Sequence, residues 1–131
     1  MEGWGDPMIH LIIPAIPPSN NQYQGKGGMG KNFLYQEDKK RWAWLMKAAY
    51  LEGKKLSEPY EKSLVHIKYF FPDRRRRDPD NYSGKMLLDP LTEMGIIKDD
   101  SFSCIQLKIE GGYDKENPRT EIRITRLEGE R

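Results

Sequence analysis

The sequence has little of the chemistry that holds small metal-bound or disulfide-bonded scaffolds together. Its 131 residues include one cysteine, Cys104, and two histidines, His10 and His66. A single cysteine excludes an internal disulfide, and these three residues are too few for a zinc site with four Cys or His ligands. We interpret Cys104 and His66 as strand residues without a catalytic role.

Long apolar stretches are also absent from the sequence. No hydrophobic run approaches the roughly 20 residues that a membrane-spanning helix needs. Met1–Asp6 contain neither a basic segment nor an apolar core, so we expect no signal peptide. Hydrophobic residues make up 37% of the chain and charged residues 32%, a balance typical of soluble proteins. We therefore expect one domain over residues 1–131, in the cytoplasm.

Hydrophobic periodicity predicts four strands and two helices in the order β-α-β-α-β-β. The strands are predicted at Met8–Ile13, Ser63–Phe71, Ile105–Ile109 and Ile122–Ile124, and the helices at Tyr35–Leu51 and Asn81–Met94. Pro90 should kink or split the second helix. Residues 111–118 suit the long loop of an antiparallel hairpin between the last two strands. These elements predict an α/β or α+β domain with a small mixed four-stranded sheet and both helices on one face.

Charge is concentrated in segments of opposite sign. Arg74–Arg77 is a run of four cations that leads directly into Asp78-Pro79-Asp80, and Asp99-Asp100 follows later. Guanidinium groups bind phosphate oxygens in a bidentate way, whereas clustered carboxylates repel phosphate. Both fit one site if a divalent cation lies on the carboxylates and the arginines hold a nucleic-acid backbone. The combination predicts a metal-dependent nuclease; a solvated basic loop is the alternative for the arginines.

The aspartates are the predicted metal ligands. In an extended segment, Asp78 and Asp80 would point to the same side, and the fold could return Asp99 and Asp100 to the same place. Three carboxylates can hold Mg²⁺, which would activate water for in-line attack on a phosphodiester. Lys85 would then stabilise charge on the scissile phosphate. A solvated acidic turn and a helix-surface lysine are the alternative interpretations.

A glycine-rich segment, Gly25–Gly30, is predicted to form a flexible basic loop that contacts nucleic acid through Lys26 and Lys31. Its spacing is similar to that of a phosphate-binding P-loop. The serine or threonine that must follow the lysine is missing, so we expect no nucleotide cofactor. Tyr23 and Phe33 flank this loop and are the favoured candidates for stacking on an unpaired base.

Several motifs, taken in order, resemble the RusA family of Holliday junction resolvases. The resemblance covers nearly the whole chain and rests on four segments: Ile16–Asn21, Arg75–Asn81, Lys85–Asp89 and Gly95–Ser101. It implies a homodimeric endonuclease that depends on Mg²⁺, with Mn²⁺ as a substitute, and makes paired symmetric nicks in four-way DNA junctions. It also implies a role in recombination or repair, in a bacterial or phage-infected cell.

The resemblance further implies the roles of individual residues. Asp78, Asp80 and Asp100 match the family's essential acidic residues, with Asp99 as their neighbour in metal binding. Lys85 matches the basic residue beside them, although it stands one residue later than in the family's pattern. The predicted DNA contacts are the basic residues Lys26, Lys31, Arg74, Arg75, Arg76 and Arg77. Two alternatives stay open: a binding module without catalysis, and a nuclease that cuts flaps, forks or single strands.

Overall fold

The computed structural model describes residues 8–23, 28–53 and 55–127, with the backbone alone for 28–31. Its main elements are β1 (Ile9–Ile13), α1 (Gly28–Leu51), β2 (Ser63–Phe71), α2 (Lys85–Glu93), β3 (Ile105–Tyr113) and β4 (Arg119–Arg126). Short 3₁₀ turns cover Asn20–Tyr23 and Pro79–Asn81. The element order, the α+β class and the mixed four-stranded sheet confirm the prediction. No helix in these described ranges is long and apolar enough to span a membrane.

The strand order of the sheet is β1-β4-β2-β3, and β2 pairs in parallel with β3 and antiparallel with β4. The predicted hairpin between the last two strands is therefore wrong, because β2 lies between them. α2 connects β2 to β3, and a helical crossover of this kind joins parallel strands. The chain then passes the end of β2 on its way to β4, where the amide of Asp114 donates to the carbonyl of Phe71 (2.8 Å).

One face of the sheet packs against both helices and forms the core. Every second residue of β2, from Ser63 to Phe71, is buried, and the residues between them are half-buried, as the predicted alternation requires. The helices add apolar side chains to this core: Trp42, Met46 and Tyr50 from α1, and Met86, Leu87 and Leu91 from α2. Burial of this apolar surface stabilises the fold and thereby positions the segments that follow β2 and precede β3.

α1 is longer than predicted, because it begins at Gly28 rather than at Tyr35. The prediction used apolar periodicity, which starts only where the helix reaches the core. Extending an existing helix is much more favourable than nucleating a new one, so Gly28–Gly30 can join its first turn. The predicted loop is therefore wrong for residues 28–30, and the rest of it, including Lys26, lies outside the described residues.

α2 is shorter than predicted and begins at Lys85 rather than at Asn81. Gly84 adopts a φ of 83°, a left-handed conformation that separates the preceding 3₁₀ turn from the helix. Pro90 does not split the helix, which continues through it to Glu93.

The end of α2 is closed by a glycine. Gly95 adopts a φ of 78°. The amides of Gly95 and Ile96 donate to the carbonyls of Thr92 (3.1 Å) and Leu91 (3.0 Å), respectively. These two bonds form a Schellman motif, and Leu91 and Ile96, the positions at which this motif usually has a hydrophobic contact, are both buried.

Candidate active site

The arginine run forms a loop that follows β2, and Asp73 organises this loop. The carboxylate of Asp73 accepts a hydrogen bond from the amide of Arg75 (3.0 Å) and pairs with the guanidinium groups of Arg75 (3.2 Å) and Arg77 (3.0 Å). These interactions, with the amide bond as the largest cause, lower the pKa of Asp73 to about 2. The carboxylate therefore stays charged at neutral pH, and its contribution to the loop is lost only as the pH falls through that value.

Arg77 has a structural role in this loop. Its side chain is 17% exposed, and its guanidinium carbon lies 4.2 Å from the ring centroid of Phe71. The guanidinium also donates to the backbone carbonyls of Asp73 (3.2 Å) and Arg75 (3.1 Å). Most of its donors are thus used within the loop. The structure favours this structural role over the predicted DNA contact for Arg77.

The other three arginines of the run are exposed. Arg76 pairs with Asp78 (3.2 Å), and its side chain is 87% exposed. An ion pair this accessible contributes little free energy, so Arg76 can exchange the carboxylate for a phosphate oxygen. The guanidinium carbon of Arg74 lies 4.1 Å from the ring centroid of Tyr113. Arg74, Arg75 and Arg76 are therefore the members of the run that suit phosphate binding.

Alanine substitutions at Arg76 and Arg77 should separate binding from folding. We expect Arg76→Ala to leave the unfolding free energy unchanged and to reduce the slope of log affinity against log salt concentration by about 0.9. Arg77→Ala should lower the unfolding free energy by about 1–3 kcal/mol, because it removes two hydrogen bonds to backbone carbonyls and a cation–π contact. Denaturant unfolding and salt titrations of DNA binding measure the two effects. Equal losses of stability in both variants would contradict this division of roles.

Asp78 and Asp80 lie on either side of Pro79. Asp78 is extended, with φ −104° and ψ 138°, but the next three residues form a 3₁₀ turn. The fixed φ of Pro79 starts this turn, in which the amide of Asn81 donates to the carbonyl of Asp78 (3.0 Å). The expected extended segment is therefore wrong for residues 79–81. Asp78 is half-buried and Asp80 is exposed.

A pocket of about 60 Å³ opens beside Asp78, and the rings of Tyr69, Phe71 and Tyr82 form part of its lining. The ring of Tyr82 lies 5.7 Å from that of Tyr69 and 5.1 Å from that of Phe71, measured between centroids. Tyr69 is 1% exposed, and its hydroxyl finds no hydrogen-bond partner among the described residues. Burial raises the pKa of Tyr69, so the hydroxyl stays neutral. These rings form an apolar base beneath the turn that carries Asp78.

Asn20 connects the acidic turn to the segment that follows β1. Its side-chain amide donates to the carbonyl of Asp80 (3.1 Å) and to the hydroxyl of Ser83 (3.4 Å). Sequence reasoning did not assign Asn20 to the site, although it belongs to a motif that carries the family resemblance. Its position directly after Pro17-Pro18-Ser19 was the available signal.

Lys85 is exposed at the first position of α2, and its ammonium nitrogen lies 5.9 Å from the ring centroid of Tyr35. No ion pair joins Lys85 to any of the four predicted aspartate ligands in the part of the chain that the structure describes. Its amino group is therefore accessible from solvent, next to the turn that Asn20 holds.

Asp99 and Asp100 lie at the opposite end of the sheet from Asp78. They precede β3, whose first residue, Ile105, pairs with Ser63, the first residue of β2. The arginine loop and Asp78 follow the other end of β2. β2 has nine residues, so its ends are about 26 Å apart at about 3.3 Å per residue. The fold thus separates the two acidic pairs that the prediction placed together.

The described residues of one chain do not form a metal site with three carboxylates. Among residues 8–23, 32–53 and 55–127, no three His, Cys, Asp or Glu side chains are placed so that they could hold a metal ion together. This agrees with the separation of Asp78 and Asp80 from Asp99 and Asp100. A single chain therefore does not fit the predicted Mg²⁺ site, and the expectation that the fold returns all four to one place is wrong for the monomer.

The predicted contacts in the N-terminal part of the chain have different outcomes. Tyr23 is half-buried, donates its hydroxyl to Asp38 and packs edge-on against a tyrosine of α1, with ring centroids 5.0 Å apart. Burial, followed by this hydrogen bond, raises the pKa of Tyr23. Phe33 is 67% exposed and is still a stacking candidate. Lys31 belongs to α1, but its side chain, like all of Lys26, lies outside the described residues.

Comparison with known protein families identifies one family whose model matches this chain. Residues 13–125 match the family model described as endodeoxyribonuclease RusA, and this range contains the arginine loop, both acidic pairs and Lys85. A search of curated proteins found no match.

Proposed function

Because the chain belongs to the RusA family of endodeoxyribonucleases, we propose that it resolves four-way (Holliday) DNA junctions by hydrolysing two symmetric phosphodiesters. The family match over residues 13–125 is the observation that carries this proposal. The arginine loop supports this proposal, because its exposed guanidinium groups can bind the phosphates of a DNA backbone next to the carboxylate of Asp78. We place this activity in recombination or repair, in the cytoplasm of a bacterial or phage-infected cell.

We further propose that the protein acts as a homodimer. The separation of the acidic pairs within one chain supports this, because a two-fold axis can bring the Asp78 end of one subunit to the Asp99 end of the other. Such a dimer has two equivalent sites, and a four-way junction presents two equivalent strands. Paired nicks then follow from the symmetry.

Mg²⁺, with Mn²⁺ as a substitute, is the proposed cofactor. The candidate ligands are all carboxylates, the oxygen donors that these cations prefer. Within one chain they do not fit a site of three carboxylates, so we propose metal binding only for an assembly that joins the two acidic pairs. When bound, such a cation supplies activated water and stabilises charge on the phosphate. Lys85 and the exposed arginines would hold and orient the DNA backbone.

Cleavage of synthetic branched DNA tests this function. A labelled four-way junction is incubated with the protein in Mg²⁺, beside a linear duplex, a flap and a single strand of matched sequence. We expect paired nicks at symmetric positions in the junction and little cleavage of the other substrates. Equal cleavage of flaps or single strands would contradict junction specificity and favour a nuclease of broader range. Tight junction binding without cleavage in Mg²⁺ or Mn²⁺ would contradict catalysis and favour a binding module.

A further inference from the structure

A groove lies at the ends of β2 and β3, where the arginine loop meets Tyr113. Its volume is about 370 Å³, which lies within the range of about 300–1,000 Å³ that is usual for ligand pockets. Its lining includes Arg74 and Arg75 from the arginine loop and Gly111, Gly112 and Tyr113 from β3. The groove thus combines cations with an accessible aromatic ring.

Arg74 and Tyr113 form a stacked pair beside this groove. Tyr113 is 40% exposed, and the guanidinium carbon of Arg74 lies 4.1 Å from its ring centroid. In the part of the chain that the structure describes, Arg75, Arg76 and Arg77 all pair with carboxylates, whereas no such pair involves Arg74. Both a tyrosine ring and a guanidinium plane are surfaces on which an unpaired base can stack.

Gly111 keeps this groove open. A Cβ at this position would meet the ring of Phe71 at 3.7 Å, an ordinary van der Waals distance. The packing of the sheet therefore does not require glycine here. Because Gly111 lines the groove, a larger side chain at this position would reduce the room for a ligand.

The groove is adjacent to the pocket beside Asp78. Phe71, Arg77 and Gly111 line both of them. A group that stacks on Arg74 and Tyr113 would therefore lie next to the acidic turn, at the same end of the sheet.

We propose that Arg74 and Tyr113 form a stacking platform for one unpaired nucleobase of the DNA substrate. This proposal rests on the proposed function and goes beyond it, because it assigns a base contact to a residue outside the arginine run. Paired bases inside a continuous duplex are already stacked, whereas bases at the crossover of a branched DNA can unstack. The platform would thus favour branched or single-stranded DNA over linear duplex.

The test measures DNA affinity in an Asp80→Asn background, so that the DNA is not cut. Tyr113→Leu removes the ring and keeps an apolar side chain, and Tyr113→Phe keeps the ring as the matched control. We expect Tyr113→Leu to weaken binding of a four-way junction and of oligothymidylate at least about fivefold. Binding of linear duplex and all binding by Tyr113→Phe should stay close to the parent values.

A second pair of variants tests the groove without changing Tyr113. Gly111→Leu fills the groove, and Gly111→Ala adds only the methyl group that the structure accommodates. We expect Gly111→Leu to lose affinity for the junction and oligothymidylate but not for linear duplex, as Tyr113→Leu does. Gly111→Ala should bind DNA like the parent. Thermal unfolding of each variant shows whether it folds.

An abasic nucleotide identifies the stacked base. It is moved one position at a time through the crossover, and binding is compared between the parent and Tyr113→Leu. We expect one position at which the missing base lowers the DNA affinity of the parent at least about fivefold but does not change the affinity of Tyr113→Leu. The platform would be overturned if no position behaved in this way. It would also be overturned if Tyr113→Leu lost equal affinity for duplex and single-stranded DNA. If the parent protein does not bind the junction more tightly than linear duplex, the proposed function fails. The comparison of oligothymidylate binding between the parent and Tyr113→Leu still tests the platform.

Discussion

The substitution Asp80→Asn is expected to lower junction cleavage by about a thousandfold or more, while DNA binding is retained or tightened. Asparagine keeps the size of the side chain and the backbone carbonyl that accepts the hydrogen bond from Asn20. It removes a negative charge from the turn that follows the arginine loop, so a phosphate there meets less repulsion. Single-turnover cleavage and equilibrium binding of the same junction measure the two effects separately.

Asp89→Asn is the matched control for this prediction. Asp89 lies on α2, 48% exposed, and pairs with Lys39 of α1 (3.4 Å). Its loss removes the same charge from the surface but breaks only an exposed ion pair, which contributes up to about 1 kcal/mol. We expect cleavage close to the wild-type rate. If Asp80→Asn cleaved as fast as Asp89→Asn, Asp80 would not belong to the active site.

Gly84→Ala is expected to lower the unfolding free energy by about 2–5 kcal/mol. Gly84 has a φ of 83°, and a Cβ on it would lie 2.7 Å from Cδ1 of Ile67. Ile67 is fully buried, so its side chain cannot move aside without disturbing the core. Because Gly84 directly precedes Lys85, the backbone movement that relieves this clash should also displace α2 and lower the cleavage rate. Denaturant unfolding measures the first effect, and the cleavage rate of the folded fraction measures the second.

Gly95→Ala separates backbone strain from the steric clash. Gly95 has a similar φ of 78°, but a Cβ there would meet no atom within 4 Å. Alanine at this position should lower the unfolding free energy by about 1–2 kcal/mol, because only the left-handed conformation is unfavourable. A loss of stability as large as that of Gly84→Ala would show that the contact with Ile67 is unimportant.

The sequence predicts the elements of this fold better than their arrangement. β2 was predicted with the observed ends, because its period of two runs without interruption between Ser63 and Phe71. The same periodicity cannot show which strand pairs with which. The last two strands therefore looked like a hairpin, although β4 is inserted beside β2. The insertion depends on long-range packing that no local pattern records.

The candidate site was predictable as a set of residue types, not as a geometry. All four residues of the run are arginines, but Asp73 and Phe71 give Arg77 an environment different from that of Arg76. A local pattern does not reveal this, because Asp73 and Arg77 interact through the folded loop. Tyr113 was overlooked for a similar reason: it is distant from Arg74 in sequence, and only the parallel pairing of β2 and β3 brings it near.

The separation of the acidic pairs is the feature on which the account of the active site depends. In a proposed dimer that shares its sites, Asp80→Asn and Asp100→Asn homodimers are both inactive. A heterodimer with one subunit of each kind has one site that carries both changes and one site that carries neither. If each chain instead formed its own site, both sites of this heterodimer would carry one change.

Cleavage of a four-way junction by this heterodimer is therefore the most direct test. The two variants are co-expressed with different affinity tags, and the doubly tagged dimer is purified and assayed in Mg²⁺ beside both homodimers. We predict that the heterodimer nicks one strand of the junction and does not complete the paired cut, while the homodimers cut neither strand. A heterodimer as inactive as its parents would contradict a site shared between two chains.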